Sequence, residues 1–185
     1  MWSKVKKNMM RFLAPIVAEH LDIHCAKYSN RSRYMWRIWC TWDKEEMLNA
    51  ADPIWHPLYY KMMVEGKEPT PELVLAKQHI YSGGQFLQAM ENYPNLSMDA
   101  ILTSEDPIIQ ALGMFDQRLG WRRLQKLEKE NAPYPIVNQF LALRVSLERE
   151  KRDGPEARER TAQRKAFIAK MKESYEEALF SFEEE

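Results

Sequence analysis

The feature that most constrains this chain is a run of period-two alternation inside a sequence that is otherwise helical in pattern. In the first stretch Leu21, Ile23 and Cys25 alternate with His20, Asp22, His24 and Ala26. In the second Tyr34, Trp36, Ile38, Cys40 and Trp42 alternate with Met35, Arg37, Trp39 and Thr41. A strand turns successive side chains to opposite faces, so both stretches read as half-buried strands with an apolar and a more polar face. The polar segment Ser29–Asn30–Arg31–Ser32 joins them as a hairpin. The residues after Trp42 admit two readings, one of them a third strand. Asp43 and Glu46 match a helix capping box, and Asp43–Lys44–Glu45 equally matches a tight turn into a short strand through Met47 and Leu48.

The remainder carries helical signals. Val5, Met9, Phe12, Leu13 and Ile16 follow helical spacing, with Ser3 as cap and Pro15 as stop, which predicts a helix over 3–14. Helical patterns recur after Pro57, from Pro71 through the Ser82–Gly83–Gly84 turn, from there to Tyr93, and in a short piece capped by Ser97. Ser82–Gly83–Gly84 reads as a helix C-cap, since no Gly-Lys-Ser/Thr of a phosphate loop accompanies it. Ser104 is the expected cap of the next helix, with Pro107 tolerated in its first turn. Another helix is expected over about 135–152, with Val137, Phe140, Leu141, Leu143, Arg144 and Leu147 on its inner face. Asp153–Gly154–Pro155 breaks the chain before a last charged helix.

The expected class is therefore α+β: a small N-terminal antiparallel sheet of two or three strands packed by a mostly helical remainder. Residues 1–152 form one domain, and 153–185 form a long charged C-terminal helix, partly independent. From Arg149 to Lys172 nine Lys and Arg face four Asp and Glu, whereas Glu173 to Glu185 holds six acids and no base. At 185 residues and 45% apolar composition the chain can bury a sizeable core. A formal net charge of zero supplies no global field toward nucleic acid or anionic membrane, so any such binding must be local. No stretch approaches the ~18–20 apolar residues that cross a bilayer, and the start of the chain lacks a credible signal peptide. With two cysteines and no disulfide framework, the expected setting is cytoplasmic.

The candidate binding residues centre on Asp116–Leu124, DQRLGWRRL, which sets Arg118, Arg122 and Arg123 beside Gly120. If residues 105–130 are one helix, Arg118, Arg122 and Gln125 share a stripe with Arg123 and Lys126 beside them. A glycine inside a helix costs about 1 kcal/mol relative to alanine, which makes sense where the backbone bends or another segment comes close. Guanidinium forks suit phosphate or carboxylate, so a binding patch is one reading. The preferred one is structural: Asp116 pairs in the turn of Arg118, and Arg144 from the following helix pairs with Glu128 or Glu148. Arg37 and Trp39, with Arg31 and Arg33 at the adjacent turn, offer a second patch of aromatic plus cation that would suit nucleic acid. The preferred reading there is that helices cover both sheet faces and Trp39 is core.

Several stretches together resemble a family of small uncharacterised bacterial proteins: WSKVKK, DIHCAKY, the Trp-rich strand ending in WDKE, FDQRLGWRRL and FLALRVSLE. The resemblance covers most of residues 1–150. In that family a glycine follows the aspartate of the strand turn and a lysine follows the glycine of the arginine motif, where this chain has Lys44 and Trp121. The resemblance implies a third strand after Asp43 and a bacterial cytoplasmic setting, and carries no activity to transfer.

No catalytic or metal signature stands out. His20 and His24 share one strand face and Cys25 the other, so a tetrahedral site would need ligands from both faces of one sheet. His56 and His79 are isolated, and no motif requires a cofactor. The leading expectation is a non-enzymatic interaction or regulatory protein that binds a protein partner through its arginine-bearing helices or the C-terminal helix. The second is a nucleic-acid-binding regulator using Arg31, Arg33, Arg37, Arg118, Arg122 and Arg123. An enzyme is third, favoured if His20, His24 and a carboxylate cluster in one cleft.

Overall fold

The computed structural model describes residues 1–30, 33–51 and 80–155, together with positions 64, 76, 77, 159 and 162. The helices expected between Pro57 and Ser82, His56, His79, Arg31 and most of the final helix lie outside the described residues, as do the side chains of 29–34. The fold is α+β. A helix α1 (Trp2–Met10) and a short α2 (Pro15–Ala18) precede three strands, β1 (Leu21–Asn30), β2 (Arg33–Trp42) and β3 (Glu45–Ala50). Then come α3 (Gly83–Asn92), one 3-10 turn (Tyr93–Asn95), α4 (Met98–Leu102), α5 (Pro107–Met114), α6 (Trp121–Leu127) and α7 (Pro135–Asp153). The chain divides into two units, Met1–Val145 and Ser146–Glu185.

The sheet is antiparallel in the order β1-β2-β3. Its first register runs from Leu21↔Trp42 through Ile23↔Cys40 and His24↔Trp39 to Asn30↔Arg33, so the alternation seen in the sequence translates into two distinct faces. The turn reading of Asp43–Lys44 is the correct one, and both residues take positive φ, 50° and 73°. Two successive left-handed residues make the hairpin turn whose twist matches that of the strands, and this turn favours Asp-Gly. Lys44 therefore occupies a glycine position with a Cβ that crowds the backbone, at about 1–2 kcal/mol for a left-handed non-glycine residue. Part of that is offset by the greater unfolded-chain freedom of glycine. Lys44→Gly is accordingly expected to stabilise by roughly 0.5–1 kcal/mol and to raise Tm by roughly 1–4 °C in a thermal melt. An unchanged or lower Tm would show that the turn is not left-handed at this residue.

On the core face Leu21, Ile23, Ile38, Cys40, Leu48 and Ala50 are buried, and α3 lies against it with Phe86 and Met90 fully enclosed. Ser82 is the N-cap of α3 and Gly83 and Gly84 form its first turn, which corrects the sequence reading of Ser82–Gly83–Gly84 as a helix C-cap. A Cβ on Gly83 would run into the carbonyl of Trp36 and stand 3.0 Å from that of Ala50, so glycine lets helix backbone meet strand backbone. Farther in, Phe115 and Phe140 stack at 4.4 Å, joining α7 to the segment after α5.

Three helix boundaries differ from the sequence reading. Helix α1 ends at Met10 and has Met1, not Ser3, at its cap. Leu13 instead bridges to Asp116, with Ala14 N–H donating to Phe115 O at 2.8 Å and Gln117 N–H to Phe12 O at 2.7 Å. That same bridge breaks the expected 105–130 helix into α5 and α6, because backbone groups of 115–117 bond to the 12–14 segment. The cap of α5 is Asp106, whose carboxylate accepts from Ile108 and Ile109 N–H, while Ser104 accepts from Asp106 N–H. Ser97 caps α4 as its sequence predicts, accepting from Ala100 N–H.

Candidate functional site

The Asp116 turn follows from that bridge. Asp116 is completely buried, and its carboxylate collects the Tyr93 hydroxyl at 2.7 Å, the Arg118 backbone N–H at 2.7 Å, and Arg118 Nε and NH2 at 3.1 and 2.7 Å. Arg118 NH1 donates to Leu96 O at 3.0 Å, and its guanidinium lies 4.6 Å from the Phe12 ring centre. Hydrogen bonding to Asp116 holds the Arg118 guanidinium above its ordinary range, and burial followed by the bond to Asp116 raises the Tyr93 phenol. Arg118 is thus spent on joining the end of α1, the 3-10 turn and the 115–120 segment, the structural role favoured from sequence.

The other predicted residues do not converge on it as one stripe. Arg122 and Arg123 are exposed on α6, and Arg123 meets Asp99 at 3.2 Å with both side chains largely in water, a pair of small energetic weight. Lys126 stands 3.9 Å from Glu130 one turn on. Arg144 is buried on the inner side of α7, 4% exposed. Gly120 is not in a helix interior. It is the N-cap of α6 in extended backbone, and a Cβ there would meet nothing within 4 Å, so neither a bend nor a close approach explains it.

A second constellation forms where the sequence pointed only weakly. The polar face of the sheet carries cross-strand rungs: Asp22 opposite Thr41, and His24 opposite Trp39, with the His20–Asp43 pair just beyond the strand ends. His20 Nδ1 lies 2.7 Å from Asp43 Oδ1, and its ring stacks on Trp42 at 5.2 Å. His24 Nε2 lies 3.1 Å from Thr41 Oγ1 and 3.6 Å from Asp22 Oδ2, and its ring stacks on Trp39 at 5.2 Å. Lys6 reaches across from α1 to Asp22 Oδ1 at 2.5 Å. Partial burial pushes Asp22 upward, but the Lys6 bond, the Ile23 N–H and the nearby Lys6 and His24 charges outweigh it and hold the carboxyl below its ordinary value.

These residues wall an open groove of about 810 Å³ that runs from Met10, Ala18 and Glu19 over His20, Asp22 and His24 to Trp39, Thr41, Asp43 and Lys44. Beside it Arg37 lies 5.1 Å from the Trp39 ring centre and donates to Asn49 Oδ1 and Glu46 Oε2. Trp39 is half-buried, with the His24 ring stacked on it and the Arg37 guanidinium beside it, where the preferred sequence reading expected a core position. Arg33 belongs to β2, but its side chain lies outside the described residues. Cys25 and Cys40 sit on the opposite face from His24, and burial pushes the Cys40 thiol up to about 12. The alternation was the signal for this site, since it already put His20, Asp22 and His24 on one face. Pairing that face with Thr41, and closing it with Lys6 and α2, required the register and the tertiary fold.

Among the described residues no helix is long and apolar enough to cross a membrane. Comparison with curated proteins and with solved structures gives no match. A family profile, that of the SF0329 protein family, matches residues 1–145, which hold the sheet, the groove and the Asp116 turn. The chain belongs to the SF0329 protein family.

Proposed function

We propose that this is a non-enzymatic interaction protein that binds a polypeptide partner through the groove on the polar face of its sheet. The supporting observation is the groove itself, where a half-buried tryptophan and a row of polar side chains from β1 and β2 stand open to solvent. Recognition sites of this kind combine an apolar body with a few placed polar groups. The arginine-bearing helices are the weaker candidate, because Arg118 is engaged with a buried carboxylate. A nucleic-acid partner fits the groove poorly. Glu19, Asp22 and Asp43 line it and repel phosphate, and the Trp39 ring is already engaged by an imidazole and a guanidinium. A bacterial cytoplasmic setting completes the reading, favoured by the family resemblance and by the free thiols of Cys25 and Cys40.

A photo-crosslinking amino acid at Ala18, exposed on the groove wall, is expected to give a discrete polypeptide adduct in cells, and the same group at Gln125 on α6 is not. An adduct from Gln125 alone would return the function to the arginine helix, and adducts to nucleic acid alone would sink the polypeptide reading. The enzyme alternative has one specific observation in its favour, since His20, His24, Asp22 and Asp43 do share one groove. A carboxylate-oriented histidine is a general-base arrangement. That alternative predicts that His20→Gln abolishes any catalytic turnover the purified protein shows while leaving the Ala18 adduct intact.

A further inference from the structure

We draw no further inference here: the strongest candidate, the cationic end of the β1–β2 hairpin around Lys27, Arg31, Arg33 and Arg37, rests on Arg31 and the Arg33 side chain, which lie outside the described residues, while Arg37 is already bonded to Glu46 and Asn49.

Discussion

Gly83→Ala is expected to destabilise the protein by about 3 kcal/mol or more, at the upper end of what forced overpacking costs. The added methyl would meet two backbone carbonyls, of Trp36 in β2 and Ala50 in β3, and neither can rotate away as a side chain would. Relief requires α3 to move off the sheet, which loosens Phe86 and Met90 from the core they fill. In thermal unfolding the loss corresponds to roughly 6–12 °C in Tm for a chain of this size. The neighbouring residue provides the control. Gly84 is exposed, its nearest foreign atom to a Cβ is Ser82 Oγ at 3.6 Å, and alanine should fit there. Gly84→Ala is expected to be neutral or to stabilise by up to about 1 kcal/mol through helix propensity. If the two substitutions behave alike, helix and sheet do not meet at Gly83.

The second large effect is expected at the buried carboxylate. Asp116→Ala removes the common acceptor of the Tyr93 hydroxyl, the Arg118 backbone N–H and the Arg118 guanidinium. Breaking one side of a buried charge pair costs about 3–5 kcal/mol. Arg118 keeps 34% of its side-chain surface exposed and can take up water, which favours the lower end, near 3 kcal/mol. Tyr93→Phe deletes one donor and leaves the guanidinium in place, so about 1 kcal/mol is expected. The cycle through Asp116→Ala, Arg118→Ala and their double variant should be strongly non-additive, with the double variant well short of the sum. Chemical denaturation of the four proteins measures this, and additivity would show that Arg118 is bonded elsewhere.

The same turn sets a pH signature. Burial and the bond to Asp116 raise the Tyr93 phenol, and burial pushes Tyr81 up to about 12. A group whose pKa rises on folding stabilises the native state while both states hold the proton, and that contribution is lost as pH rises past the unfolded value. Stability should therefore fall above about pH 10, the ordinary value for tyrosine. Tyr93→Phe should remove part of that alkaline loss.

Much of the sheet was legible beforehand because strand alternation is set by nearest neighbours along the chain. Leu21, Ile23, Ile38 and Cys40 declared the buried face without reference to anything distant. The Pro107 and Pro135 helix starts and the Ser97 cap were legible for the same reason, since caps and N1 positions act within one turn. The Asp43 turn stayed ambiguous because a capping box and a tight turn use the same short polar residues. Ser104 lost the cap of α5 to Asp106 for a similar reason, since both can cap and only backbone geometry chose between them.

What the sequence by itself determined, then, is the α+β class, the two strands with their inner faces, and a polar strand face bearing His20, Asp22 and His24. The tertiary structure alone decided the rest. The bridge from Leu13 to Asp116 broke a periodic helical run and paired Arg118 with the buried Asp116 carboxylate, apart from the exposed Arg122 and Arg123 of α6. Strand register and the docking of α1 brought Thr41, Trp39, Asp43 and Lys6 around the two histidines. Periodicity is a short-range property that each segment carries with it. Sites depend on which distant segments share a surface, and that is settled only when the core packs.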